Sequence, residues 1–554
     1  MERDPTYTIS TASLQQIRSW ITHGIALDMI SPPAAVDFSN TFSVTENGDL
    51  VRRRLSEYID FGAVKPLPPD HPLPFGVQPL HVITRPDRKP RLVIDLSRNL
   101  NDHLEYVYFQ YSSTREAMER SYPGCWYSKL DLSNCFLSFP LHPTVLPHFI
   151  FRFEGALYQF VRMPFGLSSA PRICTELLSV VRYRMHMLGM DDLVRYLDDF
   201  LFINDCEAAG RQSIMAAESV FDSFGLVVNP DKTEGPSQRI AFLGVQFDSV
   251  AQTIACTPER IEELIALLEA PLAHPDGKIR LTQLQSLIGK LQFATQVLPG
   301  FRPWTHRLQS AAKERERSLQ NKPEGSERRN HFQRQNATVR FGRGLRADAH
   351  FWLRYLRQWN GRQLWRSAQS APFIFASDAS LDGFGFYLES VPFANATLPW
   401  PQRLQVGSGY IGVYSPDDAT LHRDSGQMTW CELFAVYAAL VTWGEVLSNC
   451  CVLFLMDNST DVGVLNKQST RSDRLAGLLR EIYLVALQHN ISIYARHRPG
   501  VDNVLADFLS RPAHYNAASS PIEAWRIAHP DRTSALRDVY VVYSQQFVSR
   551  FVGL

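Results

Sequence analysis

A chain of 554 residues is too long for one hydrophobic core and allows three or four domains. Its 45% apolar and 20% charged content excludes a wholly disordered scaffold, and 56 basic residues balanced by 56 acidic ones leave any affinity for polyanions to a local patch. The eight cysteines show no Cys-x-x-Cys or Cys/His ligand spacing, the N-terminus has no apolar signal core, and no run approaches a membrane span. The expectation is a reduced intracellular protein, cytoplasmic or nuclear, without structural zinc or a membrane partner.

Residues 1–60 read as an extension with an amphipathic helix over 14–27, anchored by Trp20. The Pro-rich stretch from Pro66 to Pro79 is extended and leads into a strand at 80–84, which a turn at 85–90 returns into 91–96. Arg85, Arg88, Lys89 and Arg91 crowd the tip of this hairpin, which suits a polyphosphate or a nucleic-acid backbone and equally a solvated tip. Further on, Asp131 interrupts the strand-like run 127–132, with Phe136 five residues later. A carboxylate at the end of a buried strand is costly unless it is paired or holds a cation. Residues 149–153 and 156–160 have the period of a hairpin turning at Glu154-Gly155. The small-residue loop 162–171 then opens a helix over 172–188, and its Gly166 lets a flat base pair or sugar approach the backbone.

The centre of the pattern is 194–203, where two apolar runs flank Asp198 and Asp199. This predicts a buried β-hairpin whose turn carries both carboxylates. Asp-Asp is a poor choice for a tight turn, which favours Gly or Asn where φ is positive, so a further demand such as a metal ion is expected to hold the pair there. After it come Asn229-Pro230-Asp231-Lys232-Thr233 and the strand 240–247.

The ordered set of basic hairpin, Leu130-Asp131-Leu132 with Phe136, Met163-Pro164-Phe165-Gly166-Leu167 through Pro171, Tyr196-Leu197-Asp198-Asp199, Asn229 to Thr233 and Phe242-Leu243-Gly244 resembles the motif series of reverse transcriptases from LTR-type retroelements. The resemblance implies an α+β right-hand polymerase with fingers, palm and thumb. It also implies that Asp131, Asp198 and Asp199 are ligands of two Mg²⁺ ions, with Mn²⁺ as a substitute, and phosphoryl transfer needs such charge neutralisation. Carried over in the same way, Phe136 stacks under the incoming sugar and selects deoxynucleotides, and Lys89 and Arg91 grip the triphosphate. Phe165 and Gly166 lie near the nascent base pair and Lys232 near the triphosphate, while Asp95 is structural.

Thr257-Pro258-Glu259-Arg260 is a helix start, and a second helix spans 281–294, in the position of a thumb. From Arg307 to Arg346, 11 Lys/Arg stand against four acids, which reads as a basic connection able to contact phosphates. A new domain follows. Asp378 lies in a strand at 373–380, Glu432 on a helix at 429–440, Asp457 at the end of the strand 451–456, and Asp507 opens the helix after 498–503. This Asp, Glu, Asp, Asp order resembles the ribonuclease H active site, and the resemblance implies an α/β nuclease domain in which the four acids hold two further metal ions at a scissile phosphate.

Two departures stand out. The Asp378–Glu432 separation is long, which predicts an inserted loop near 392–427, and the histidine that some such nucleases place before the last acid has no match, since His497 falls too early. Leu287 to Ala294, Trp430-Cys431-Glu432-Leu433, Asp457-Asn458-Ser459-Thr460 with Asn466-Lys467-Gln468, and Asn503 to Arg511 look most like DIRS-like retrotransposons, whose recombinase would act separately. The expected layout is an N-terminal extension at 1–60, fingers and palm at 61–252, thumb at 253–305, connection at 306–369, ribonuclease H domain at 370–513 and a tail at 514–554 without a functional reading. The implied partners are an RNA template, a DNA primer, the RNA/DNA hybrid and deoxynucleoside triphosphates. A pararetroviral or hepadnavirus-like polymerase and a catalytically silent nucleic-acid-binding scaffold are the alternatives.

Overall fold

The structure, a computed structural model, describes residues 11–85, 88–109, 111, 113–273, 277–320, 336–361, 363–364, 373–390, 406–414, 427–512, 523, 525, 527 and 538–543. The side chains of Arg85, Arg88 and Lys89, and with them the expected triphosphate grip of Lys89, lie outside the described residues, as do 321–335 and 365–372 of the connection. Two compact units divide the chain: residues 1–243 with 247–252, and 244–246 with 253–554.

In the first unit, the N-terminal helix spans Thr11–His23, ending short of the expected 27. Gly24 stops it at a φ of +90°, pressed so close to the Leu141 backbone that a Cβ would lie 2.8 Å from it. The expected hairpin forms from β1 (Leu80–Arg85) and β2 (Arg88–Ile94). Further along come β3 (Trp126–Asp131), the pair β4 (Ile150–Phe153) and β5 (Ala156–Phe160), and the helix α1 (Ala170–His186). Next are β6 (Leu193–Tyr196), β7 (Asp199–Asn204), the helix α2 (Glu207–Ser223) and β8 (Glu234–Ser237). β8, β3, β7 and β6 make one antiparallel sheet in that order. Phe200, Leu201, Phe202 and Ile203 are all buried, so β7 has the continuous apolar pattern of a central strand rather than the alternation of a half-exposed one.

The second unit begins with α3 (Pro258–Ala273), β9 (Lys278–Arg280), α4 (Leu281–Ala294) and α5 (His306–Gln320). β10 (Thr338–Arg340) pairs antiparallel with β9, and α6 (Arg343–Trp359) follows. Trp304 stacks face to face on Phe351 of α6, with ring centroids 3.6 Å apart. The rest is a six-stranded sheet with helices. In chain order these are β11 (Phe373–Ala379), β12 (Gly383–Ser390), β13 (Ser408–Val413), α7 (Gln427–Trp443), β14 (Cys451–Met456), α8 (Ser459–Lys467), α9 (Asp473–Gln488), β15 (Ser492–His497), α10 (Val504–Leu509) and β16 (Asp538–Tyr543). The sheet order is β15-β14-β11-β12-β13-β16.

Two sequence expectations change here. The stretch expected as an inserted loop contains β13, which pairs with β12, while 391–405 and 415–426 lie outside the described residues. The region expected as a tail supplies β16, which runs parallel to β13 in the register Tyr410↔Tyr540, and Trp525, 1% exposed, which packs on Phe508. The run Val539 to Tyr543 is rich in aromatic and β-branched residues, but its partner strand lies more than a hundred residues away.

A buried ionic cluster joins α5, α6 and α9. Asp348 of α6, 1% exposed, lies 3.0 Å from Arg307 and 3.5 Å from the nearly buried Arg480. Burial pushes the Asp348 carboxyl up to about 6, outweighing the attraction of Arg480 and then Arg307. The folded chain therefore binds this proton more tightly than the unfolded chain, whose carboxyl titrates near ~4. The contribution favours the fold below about pH 4 and is lost as pH rises through about 6. Asp348→Ala is expected to abolish that fall. At neutral pH it leaves Arg480 buried without its carboxylate, at a cost on the order of 3 kcal/mol. Denaturant midpoints measured across this pH range check both effects.

Candidate active sites

The antiparallel register of the first unit sets Asp199 directly opposite Asp131. The tight hairpin between β6 and β7 closes with Tyr196 opposite Asp199, so its two turn residues are Leu197 and Asp198. The turn thus carries one carboxylate rather than two. The positive φ expected to burden an aspartate falls on Leu197, at +52°. The Asp198 carbonyl accepts from the Leu132 amide at 3.0 Å, which ties this turn to the end of β3. The carbonyl of Asp131 accepts from Asn229 at 2.8 Å, so the Asn229–Thr233 loop is docked on the same strand. Asn229 caps its single turn by accepting from the Asp231 amide, and Lys232 reaches Asp131 Oδ1 at 2.8 Å.

Like charges opposite each other across a sheet repel, and here water is partly excluded as well. Asp131 is buried and Asp198 and Asp199 are half-buried. Burial, then the charges of Asp198 and Asp131, push Asp199 up to about 7. Asp198 is raised by burial above all, with Asp131 adding to it and Lys232 and Arg91 opposing.

Beside this trio, Arg91 lies 5.5 Å over the Phe165 ring, and Phe165 packs on Phe136 with centroids 5.4 Å apart. The structure therefore brings Arg91, Phe136 and Phe165 into one column. Gly166 is forced: its φ is +114°, and a Cβ would sit 1.9 Å from the Ile94 carbonyl oxygen. No local pattern marks Asn101, whose side chain donates to the Gly166 carbonyl at 2.9 Å and accepts from the Ser168 amide at 2.9 Å. Gly166→Ala is expected to detach this loop from β2, where the Ile94 amide now donates to the Phe165 carbonyl, and to cost more than 2 kcal/mol. A drop in the unfolding midpoint measures it, and an unchanged midpoint contradicts the packing described.

The second carboxylate set collects on β11, α7, β14 and α10. Asp378 and Glu432 are buried, while Asp457 and Asp507 are half-buried. Asp507 lies in the first turn of α10, at the helix opening where the sequence places it. Burial pushes Asp378 up to about 7, with Asp457 and Asp507 adding to it and Ser510 opposing. Burial likewise takes Glu432 to about 7 and raises Asp457. Asp457 and Asp507 both raise Asp378, and Asp457 and Asp378 both raise Glu432, so Asp378 has acids of β14, α10 and α7 for neighbours.

Several supporting residues escaped the sequence reading. Ser510 donates to Asp378 Oδ2 at 2.7 Å, and Asn503 donates to the Ser377 carbonyl at 3.1 Å. Asp461 on α8 is fully buried against Glu432, and burial followed by the Glu432 charge pushes it up to about 10. His497 has its ring Nε2 3.0 Å from the Asp457 carbonyl, and its charge lowers Asp457. The extended end of β15 places it there, in the register Met456↔His497. His497→Ala is expected to leave the unfolding midpoint within about 0.5 kcal/mol of wild type, as for an exposed position, and a denaturant melt checks this.

Among the described residues no group of three His, Cys, Asp or Glu already stands in ion-holding geometry. The donor chemistry nevertheless fits hard divalent cations, since each set offers only carboxylate oxygens whose mutual repulsion a cation would relieve.

An antiparallel sheet presenting a carboxylate trio, with a basic hairpin and an aromatic column beside it, defines the palm and fingers of a right-hand polymerase. Within that class, residues 78–247 match the family model described as reverse transcriptase (RNA-dependent DNA polymerase). The chain is 23% identical over 224 residues to the Pro-Pol polyprotein of simian foamy virus type 1, covering 40% of this chain and 18% of that polyprotein. It is 26% identical over 211 residues to a putative enzymatic polyprotein of cassava vein mosaic virus, covering 38% of this chain and 30% of the other. The match therefore spans less than a third of either relative. Among solved structures, a foamy viral protease-reverse transcriptase in complex with double-stranded DNA is similar at 13% identity and a TM-score of 0.49, covering 88% of this chain and 79% of that one.

Proposed function

We propose that this chain copies RNA and DNA templates into DNA and removes RNA from the resulting RNA/DNA hybrid, in the service of a retrotransposon of the DIRS-like kind. The observation that carries the reading is the register that sets Asp131 opposite Asp199 with Asp198 in the adjoining turn. Three carboxylates forced together in this way fit a site for two Mg²⁺ ions, which when bound neutralise the charge of a triphosphate and activate a primer hydroxyl.

The chain's own residues do the positioning. Asp131 comes from β3 and Asp198 and Asp199 from the β6–β7 hairpin, so a hydrogen-bonded sheet fixes all three. Arg91 stands on the fingers hairpin over Phe165, where a guanidinium can meet phosphate oxygens. Phe136 backs the same column and supplies an apolar wall for a deoxyribose. Lys232, more than half exposed, can leave Asp131 for a phosphate. In the second unit, Asp378, Glu432, Asp457 and Asp507 would hold the cations of a hydrolytic site, with Ser510 and Asn503 fixing the strand that bears Asp378.

The test is primer extension on an RNA template with Mg²⁺, run beside degradation of a labelled RNA/DNA hybrid. Asp198→Asn is expected to reduce DNA synthesis at least about 1000-fold, some 4 kcal/mol in barrier, with hybrid degradation retained. Asp457→Asn is expected to do the reverse. DNA synthesis that survives Asp198→Asn rejects the polymerase site, and hybrid degradation that survives Asp457→Asn rejects the nuclease site.

A further inference from the structure

The second unit contains a cavity of about 540 Å³ lined by Arg340, Arg343, Arg346 and His350, with Gly277 and Gly342 in its wall. Among the described residues no acidic side chain lines it. Among the described residues Arg340, Arg343 and Arg346 form no ion pair, in a chain whose total charge is zero.

The local build keeps this charge in place. Arg346 is anchored by its own backbone surroundings, Nε donating to the Phe341 carbonyl at 3.0 Å and Nη1 to the Leu272 carbonyl at 3.5 Å. Its Nη2 occupies the space where Gly277 lacks a side chain: a Cβ there would stand 2.7 Å from that nitrogen. The guanidinium is thus held in place, and these two bonds leave further N–H groups, those of Nη2 among them, to donate to a ligand. Beside the cavity, β9 and β10 bury Ile279 and Val339 and expose Lys278, Arg280, Thr338 and Arg340 on the opposite face. The register sets Lys278 directly opposite Arg340. A like-charge pair across strands is destabilising, so the sheet holds an arrangement that local folding disfavours and a bound anion would relieve.

From the cavity, the fixed guanidinium and the paired cations we infer that this surface is a phosphate-binding site that takes the phosphodiester backbone of a nucleic-acid strand. It rests on the reading that the chain handles nucleic acid. Guanidinium forks match phosphate oxygens two at a time, and the cations extend from the cavity over the neighbouring sheet, more positions than a single phosphate occupies. Such contacts carry no base preference, so the site adds affinity without sequence choice.

The experiment uses the full chain with Arg340→Gln, Arg343→Gln and Arg346→Gln. Binding of a fluorescent RNA/DNA hybrid is followed by anisotropy from low to high salt, and binding of inorganic tripolyphosphate by calorimetry. Each lost phosphate contact is expected to flatten the slope of log affinity against log salt by about one and to weaken binding alike on unrelated sequences. If only tripolyphosphate binding falls, the site takes free polyphosphate and the backbone assignment is overturned. If neither changes, there is no phosphate site. Arg346→Gln removes two internal hydrogen bonds, so Arg340→Gln and Arg343→Gln carry the decision should it unfold. Primer extension by the wild type separates the two readings: a flattened slope without any extension upholds this site and rejects the polymerase, and extension with an unchanged slope does the converse.

Discussion

The first unit depends on one pairing, Asp131 against Asp199 in adjacent antiparallel strands. Hydrogen-bonded strands fix their residues to within a fraction of an ångström, and a shift by one residue would turn every side chain to the other face. The buried run Phe200 to Ile203 forbids that shift, because a slip would carry four large apolar side chains out of their packing. The hydrophobic core therefore enforces an electrostatic arrangement that the carboxylates themselves resist. The raised protonation range of Asp198 and Asp199 expresses the same resistance.

What surrounds this pair answers to it. The hairpin that delivers Asp198 spends its left-handed backbone on Leu197, and the Asn229 loop brings Lys232 to the one trio member that lies in β3. Gly166 and Asn101 hold the Phe165 loop against β2, so the aromatic column keeps its place beside the carboxylates. The second carboxylate set uses a different device. Its acids come from two strands and two helices, and buried side-chain donors such as Ser510 do the aligning that strand register does in the first.

Much of this was legible in the sequence wherever the signal was local. The β6–β7 hairpin, the Asp131 strand and the Glu154-Gly155 turn follow from alternation and turn residues within a dozen positions. The helix at 281–294 was read to its ends. What escaped depends on contacts distant in sequence. Asn101 acts on a loop 65 residues away and Ser510 on an acid 132 residues away, and neither has a local pattern that marks it. The nearness of His497 to the Asp457 carbonyl, 40 positions away in sequence, is set by the pairing of β15 with β14. The strand β16 has no role legible within the tail for the same reason, since its partner β13 is distant in sequence.

β16 has a practical meaning. It covers β13, which without it would present a row of open amide and carbonyl groups along the rim of the sheet. A chain cut after Arg511 would retain all four acids of that sheet and still lose its border strand. Such a fragment would be prone to recruit another copy through the bare rim, so solubility and the full carboxylate set of this unit are governed by different stretches of sequence.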